Sequence, residues 1–292
     1  MRIWSAEGNH QRLDGGAMFG NVPRALWQKW MPPDELGRIR LSCRALVADA
    51  INGHTVLFES GVGAFLEPEL RSRFGIEEDQ NLLPISLSAV GFTAADIDVI
   101  VLSHLHFDHA GGLLTDWRDG EEPKLRFPNA HYIVGAEHWQ RACRPHPRDR
   151  ASFIPQLQTL LEDSHKLELI DSNMSATLGN DVQFRFSDGH TPGLMLSIIG
   201  GDGGIAFCSD LIPGRPWVHL PVTMGFDRYP EKLIDEKAAF LDEMIQRKIR
   251  LAFTHDPQCA LATPTRDDKG RYTVTDEHPT IIPPKTPEPT DS

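Results

Sequence analysis

Leu41, Cys43 and Ala45 alternate with polar neighbours, and the apolar run 56–58 follows shortly after. This period of two predicts a pair of antiparallel strands, turned at Asn52-Gly53, where both residues tolerate positive φ. Segment 98–103 contains Val99-Ile100-Val101-Leu102 and predicts a strand buried on both faces. Further apolar runs predict strands at 130–134, 182–186, 194–199, 205–208 and 249–253.

A helix is expected over 65–74. Between Pro230 and Lys248, Leu233, Ile234, Ala238, Leu241, Met244 and Ile245 recur at helical spacing with charge between them, so a second helix starts near Pro230. Strands with interspersed helices predict two β-sheets packed face to face and covered by helices. Residues 1–38, rich in Trp, Gly and Pro, read as an irregular arm packed on a body formed by 39–274. Residues 275–292, rich in Pro and Thr, read as an extended tail.

Composition narrows the function classes. The 292 residues carry a formal net charge of −12, with no dense Lys/Arg cluster, which argues against a nucleic-acid partner. No stretch of about 18 apolar residues predicts a membrane span, and the first 16 residues lack the apolar run of a signal peptide. Cys43, Cys143, Cys208 and Cys259 are scattered without metal or redox spacing, and read as free thiols of a cytoplasmic protein.

The chemistry concentrates in Ser103-His104-Leu105-His106-Phe107-Asp108-His109-Ala110-Gly111-Gly112, directly after the predicted buried strand. Imidazoles and a carboxylate clustered without a cation leave polar groups that are costly to satisfy. The spacing lets His104 and His106 grip one ion while Asp108 and His109 face a second. Gly111-Gly112 would let the backbone turn sharply beside them. Three other segments end predicted strands with a ligand-type residue: Gly189-His190-Thr191-Pro192-Gly193, Ser209-Asp210 and Thr254-His255-Asp256.

In this order the segments resemble the dinuclear branch of the metallo-β-lactamase superfamily, over roughly residues 39–260. The resemblance implies an α/β four-layer αβ/βα sandwich. It implies that His104, His106 and His190 bind one metal, that Asp108, His109 and His255 bind the other, and that Asp210 bridges both. Glu59 stands where the family has a supporting aspartate, one methylene shorter, and Asp256 is an alternative support. Two divalent ions are expected, zinc first, with Fe, Mn or Co also suited to this N/O donor set. Such a pair shares a water and lowers its pKa, so that bridging hydroxide attacks an acyl or phosphoryl centre. Asp108 or Asp210 would then pass the proton to the leaving group.

Leu13-Asp14-Gly15-Gly16-Ala17-Met18-Phe19-Gly20, Pro32-Pro33-Asp34-Glu35 and Met224-Gly225-Phe226-Asp227 resemble the quorum-quenching N-acyl-homoserine lactonase branch. That implies a small-molecule lactone substrate, with Phe19 and Phe226 against its acyl chain. Some lactonases carry a substrate-assisting tyrosine shortly after the bridging aspartate. Here Leu211-Ile212-Pro213 follows Asp210, and Tyr229 is the first tyrosine afterwards. The alternative is a phosphotriester or phosphodiester hydrolase, which shares every metal ligand. The apolar arm would serve an acyl pocket or a homodimer contact.

Overall fold

A computed structural model describes residues 1–283. Its first sheet has the order β1 (Arg2–Ala6), β4 (Ala45–Ile51), β5 (His54–Phe58), β6 (Val99–Leu102), β7 (His131–Gly135) and β8 (Leu167–Ile170). β2 (His10–Asp14) and β3 (Arg38–Ser42) form a separate antiparallel pair. The second sheet has the order β14 (Tyr272–His278), β13 (Leu261–Arg266), β12 (Arg250–Ala252), β11 (Ile205–Phe207), β10 (Leu194–Ile199) and β9 (Val182–Ser187).

Strand alternation builds the layers. Val99 and Val101 of β6 face the space between the sheets, where they meet Phe58, Ile133, Phe184, Met195 and Phe207. Ile100 and Leu102 face the other way, against Leu83, Leu87, Leu157 and Leu161 of the covering helices. β10 divides likewise: Met195 and Ile199 point inward, while Leu194, Leu196 and Ile198 meet the helix Pro230–Gln246 through Leu233, Leu241 and Met244. The four-layer αβ/βα sandwich follows directly from these opposed faces.

Two expectations about the ends are corrected. The arm is not irregular, because β1 pairs with β4 along five residues and β2 pairs with β3. A boundary at residue 38 therefore cuts through the first sheet. At the other end, β14 runs across position 275, and the Ser5 amide donates to the carbonyl of buried Ile281 at 3.0 Å. The expected tail thus begins later than 275, and its last residues, 284–292, lie outside the described residues. The helix expected over 65–74 is shorter, Pro68–Arg73, and the turn at Asn52-Gly53 has positive φ at both residues (46° and 85°). Among the described residues no helix is long and apolar enough to cross a membrane.

Candidate metal centre

Loops at one edge of the two sheets carry the ligand-type residues. His104, His106, Asp108 and His109 follow β6, His190 precedes β10, Asp210 follows β11 and His255 follows β12. Two non-glycine residues there adopt positive φ, Glu59 (66°) after β5 and Ser209 (43°) after β11. Such backbone costs roughly 1–2 kcal/mol per residue, and it aims Glu59 and Asp210 at the cluster. Gly111 and Gly112 serve close approach and not the sharp turn expected of them. A Cβ on Gly112 would lie 2.0 Å from the Ser60 carbonyl oxygen, and one on Gly111 2.2 Å from that of Val62.

All seven residues converge. One donor atom each from His104, His106 and His190 lie within 4.8 Å of one another, and so do atoms from Asp108, His109 and His255. Asp210 stands between the groups. Its Oδ2 is 3.2 Å from Nε2 of His190 and 4.0 Å from Nε2 of His104. Its Oδ1 is 3.4 Å from Nε2 of His109 and 3.2 Å from Nε2 of His255.

The outward ring atoms are held from behind. Nδ1 of His190 donates to Asp227 at 3.0 Å, and Nδ1 of His255 to the Ser42 carbonyl at 2.6 Å. Nδ1 of His104 meets the Ser103 hydroxyl at 2.8 Å, which in turn meets Ser209 at 2.6 Å. Glu59 accepts the Ser103 amide at 3.0 Å and places its other oxygen 3.4 Å from Nδ1 of His109, so the longer side chain does reach the cluster. Asp256 does not: it pairs with Arg215 at 2.7 Å and accepts the amides of Gln258 and Cys259.

The electrostatics fit a cation. Burial, then the neighbouring imidazoles, hold His104 and His106 well below the usual histidine range. Burial opposes charge on His109 and His255 too, yet the carboxylates around them, Asp210 foremost, raise both well above it. Although burial alone would raise Asp210, the imidazoles of His109, His255 and His190 hold it well below the carboxylate range. The cluster draws positive charge inward, while Nε2 of His104 and Oδ1 of Asp210 are buried without a hydrogen-bond partner among the described residues. Five imidazoles and two carboxylates gathered in one buried cluster are a donor set suited to divalent transition metals.

Two supporting residues were given no such role from the sequence, Asp227 appearing only within the 224–227 motif and His138 not at all. Asp227 also accepts the Met224 amide at 2.6 Å, tying the 224–227 loop to His190. His138, fully buried, accepts the Leu105 amide at 2.8 Å and donates to the Pro192 carbonyl at 3.1 Å. It thereby joins the loops of His104 and His190, and burial lowers its pKa to about 3.

A cavity of about 360 Å³ opens over His106, Asp108, His190, Asp210 and His255, walled by Leu13, Met18, Phe74, Phe107, Met224 and Phe226. Phe226, expected against an acyl chain, lines this cavity. Phe19 does not: it is fully buried, stacked at 5.6 Å on Trp27 and at 4.6 Å on Trp217. Tyr229 lines a different hollow, with Asp188, Pro192 and Lys232.

Residues 40–255 match the model of the metallo-beta-lactamase superfamily. The chain belongs to this superfamily. It is a metal-dependent hydrolase by family. It is similar to a probable metal-dependent hydrolase from Staphylococcus aureus, at 26% identity and a TM-score of 0.82, covering 94% of this chain and 96% of that one. AidC, a dizinc quorum-quenching lactonase, shares the fold at 22% identity and a TM-score of 0.70, with 94% of each chain covered. The N-acyl homoserine lactonase AttM of Agrobacterium fabrum is 30% identical over 102 residues, 32% of this chain and 34% of its own length. AiiA of Bacillus thuringiensis subsp. kurstaki, also an N-acyl homoserine lactonase, is 27% identical over 131 residues, 45% and 43% of the two chains. The matched segments thus span a third to under half of these curated relatives.

Proposed function

We propose that the protein hydrolyses a carboxylic ester, with the ring ester of N-acyl-homoserine lactones as first choice, at a centre of two divalent cations. The observation that carries this reading is the division of Asp210, with one oxygen toward His190 and His104 and the other toward His109 and His255. His104, His106 and His190 would hold one cation; Asp108, His109 and His255 the other; Asp210 both. Zinc suits this set, as do iron, manganese and cobalt. When bound, the cations supply Lewis acidity towards the scissile carbonyl and lower the pKa of water towards neutrality.

The chain's own residues do the rest. Asp227 and Ser42 keep His190 and His255 in orientation by hydrogen bonds, and Glu59 sets its carboxylate 3.4 Å from Nδ1 of His109. Leu13, Met18, Met224 and Phe226 line the cavity with apolar surface suited to an acyl chain. Asp108 lies on the cavity wall, its Oδ2 3.6 Å from Nε2 of His255. From there it can carry a proton to the alcohol oxygen that leaves as the ester bond breaks. The lactonase relatives AttM and AiiA, and the arm and 224–227 motifs, support the lactone over other esters.

Phosphotriester or phosphodiester hydrolysis is the second reading. It is favoured by the cavity lining, which includes no tyrosine among the described residues. Metal-loaded protein assayed against lactones, phosphotriesters and β-lactams decides between them. Fast lactone opening is expected, and phosphotriester cleavage without lactone turnover would overturn the first reading.

A further inference from the structure

The cavity wall carries two arginines for which a neutral lactone offers no charged partner. Beyond the metal cluster its lining includes three charged side chains, Arg148, Asp149 and Arg228. Asp149 pairs through Oδ2 with Arg141 at 2.6 Å, while its Oδ1 is buried without a hydrogen-bond partner among the described residues. Neither Arg148 nor Arg228 forms an ion pair with any carboxylate among the described residues. In a chain of net charge −12, where most half-buried arginines are paired, the half-buried Arg228 lacks a carboxylate partner, and the exposed Arg148 stands beside it on the same cavity.

Each arginine is fixed by something other than a carboxylate. Arg148 donates from Nη2 to the carbonyls of Gly225 (2.7 Å) and Asp227 (3.3 Å), bridging the 145–152 segment to the loop that supports His190. Arg228 follows Asp227 directly, and its backbone amide donates to the His190 carbonyl at 3.1 Å. Its guanidinium lies 5.4 Å from the centre of the Tyr229 ring. Its Nε is buried with no hydrogen-bond partner among the described residues. A buried guanidinium donor left unmatched costs more than an exposed one, so this geometry favours an occupant with anionic oxygens.

We propose that Arg228 and Arg148 form an anion-recognition site in the same cavity as the metal centre, and that the substrate carries a carboxylate or phosphate group apart from its scissile ester. This rests on the ester-hydrolase reading and narrows its substrate to lactones that bear an anionic group, which simple N-acyl-homoserine lactones lack. The bond that breaks remains the ester C–O bond, water supplies the new C–O bond, and the anionic group takes no part in the chemistry. A guanidinium offers parallel N–H donors to two oxygens of such a group, which orients the substrate before reaction. Cations held by the cluster would also draw anions towards this cavity in an otherwise acidic molecule.

The test uses the metal-loaded full chain and three lactones of equal chain length, ending in a carboxylate, a phosphate or a methyl ester. The wild type should favour at least one anionic substrate over the ester roughly tenfold or more in kcat/KM, with the preference shrinking as salt rises. Whichever anion leads identifies the group. Arg228→Met and Arg148→Met should each lower that ratio, and Arg228→Glu should turn it in favour of a lactone ending in an amine. Equal rates on all three lactones in the wild type would overturn the anion site and leave the ester reading standing. If no lactone is opened, the ester reading fails, and calorimetric titration with glutarate and with glycerol phosphate judges the anion site separately. Binding lost in Arg228→Met supports the site, whereas no binding, or binding unchanged in the variant, overturns it.

Discussion

The carboxylate of Glu59 lies 3.4 Å from Nδ1 of His109 while its other oxygen accepts the Ser103 amide at 3.0 Å. One side chain therefore anchors the start of the loop that carries four of the seven clustered residues and sets a carboxylate beside one of its imidazoles. Glu59→Gln keeps the shape and removes the charge. Metal affinity, measured by competition with a chelator, should fall about 10- to 100-fold, as for other residues that orient metal ligands. Glu59→Asp should weaken it less if the backbone relaxes to bring the shorter acid forward. Wild-type affinity in Glu59→Gln would show that this contact orients nothing.

Asp210 leads to a stoichiometry. Protein loaded under metal-replete conditions should carry close to two divalent ions per chain by elemental analysis. Chelation should abolish turnover, and re-addition of metal should restore it. Asp210→Asn should disturb both ions and cost about 10²–10³ in kcat. His255→Ala should deplete one ion preferentially. His131 and His165, outside the cluster, serve as control positions. A chain that holds a single ion and keeps full activity would rule out the paired centre.

How much of this was legible beforehand depends on where each signal resides. The seven clustered residues were readable because each terminates an apolar strand, and strand ends at one sheet edge converge in space. Central strands such as Val99–Leu102 announce themselves through burial on both faces. Edge strands do not. Arg2–Ala6 and Tyr272–His278 are half-exposed, their patterns are weak, and their partners lie far off in sequence or have equally weak patterns. Phe19 illustrates a different limit. An aromatic residue in an arm carries no direction of its own, and its burial is decided by Trp217, almost two hundred positions later. The supporting roles of Asp227, quoted only as part of a motif, and of His138 were missed for the same reason, since their partners, His190 and the Leu105 and Pro192 backbone, meet them only in the folded chain.

Lys237 gives the fold a distinctive pH response. Its ammonium is buried in the long helix and donates to the carbonyls of Trp217 (3.0 Å) and Val222 (2.6 Å). Burial brings its pKa down from 10.5 to about 7. Between those values the unfolded chain keeps a proton that the folded chain has released, so stability rises with pH through this window. Below about pH 7 both states are protonated and this contribution is flat. From pH 7 to 10 the rise from this one residue should be about 3 kcal/mol. Denaturant titrations of wild type and Lys237→Met at pH 7, 8.5 and 10 read it as the difference between the two slopes. Parallel slopes would mean that the lysine stays charged in the folded chain.

Phe19 and Phe226 separate stability from selectivity. Phe19 is sandwiched between Trp27 and Trp217, so Phe19→Ala opens a cavity in the core and should cost about 3–5 kcal/mol, read as a lower Tm. Phe226 is 47% exposed and faces the cavity, so its loss should leave Tm nearly unchanged. Its effect belongs to the acyl chain. Each methylene removed from water contributes about 0.8 kcal/mol, so four approach about 3 kcal/mol, roughly a hundredfold in affinity. In a series of N-acyl-homoserine lactones, kcat/KM should climb with chain length until the cavity is filled. Phe226→Ala should flatten that climb, whereas folded Phe19→Ala should keep it. A climb that survives in Phe226→Ala and disappears in Phe19→Ala would place the acyl chain against the arm's aromatic stack and not against the 224–227 loop.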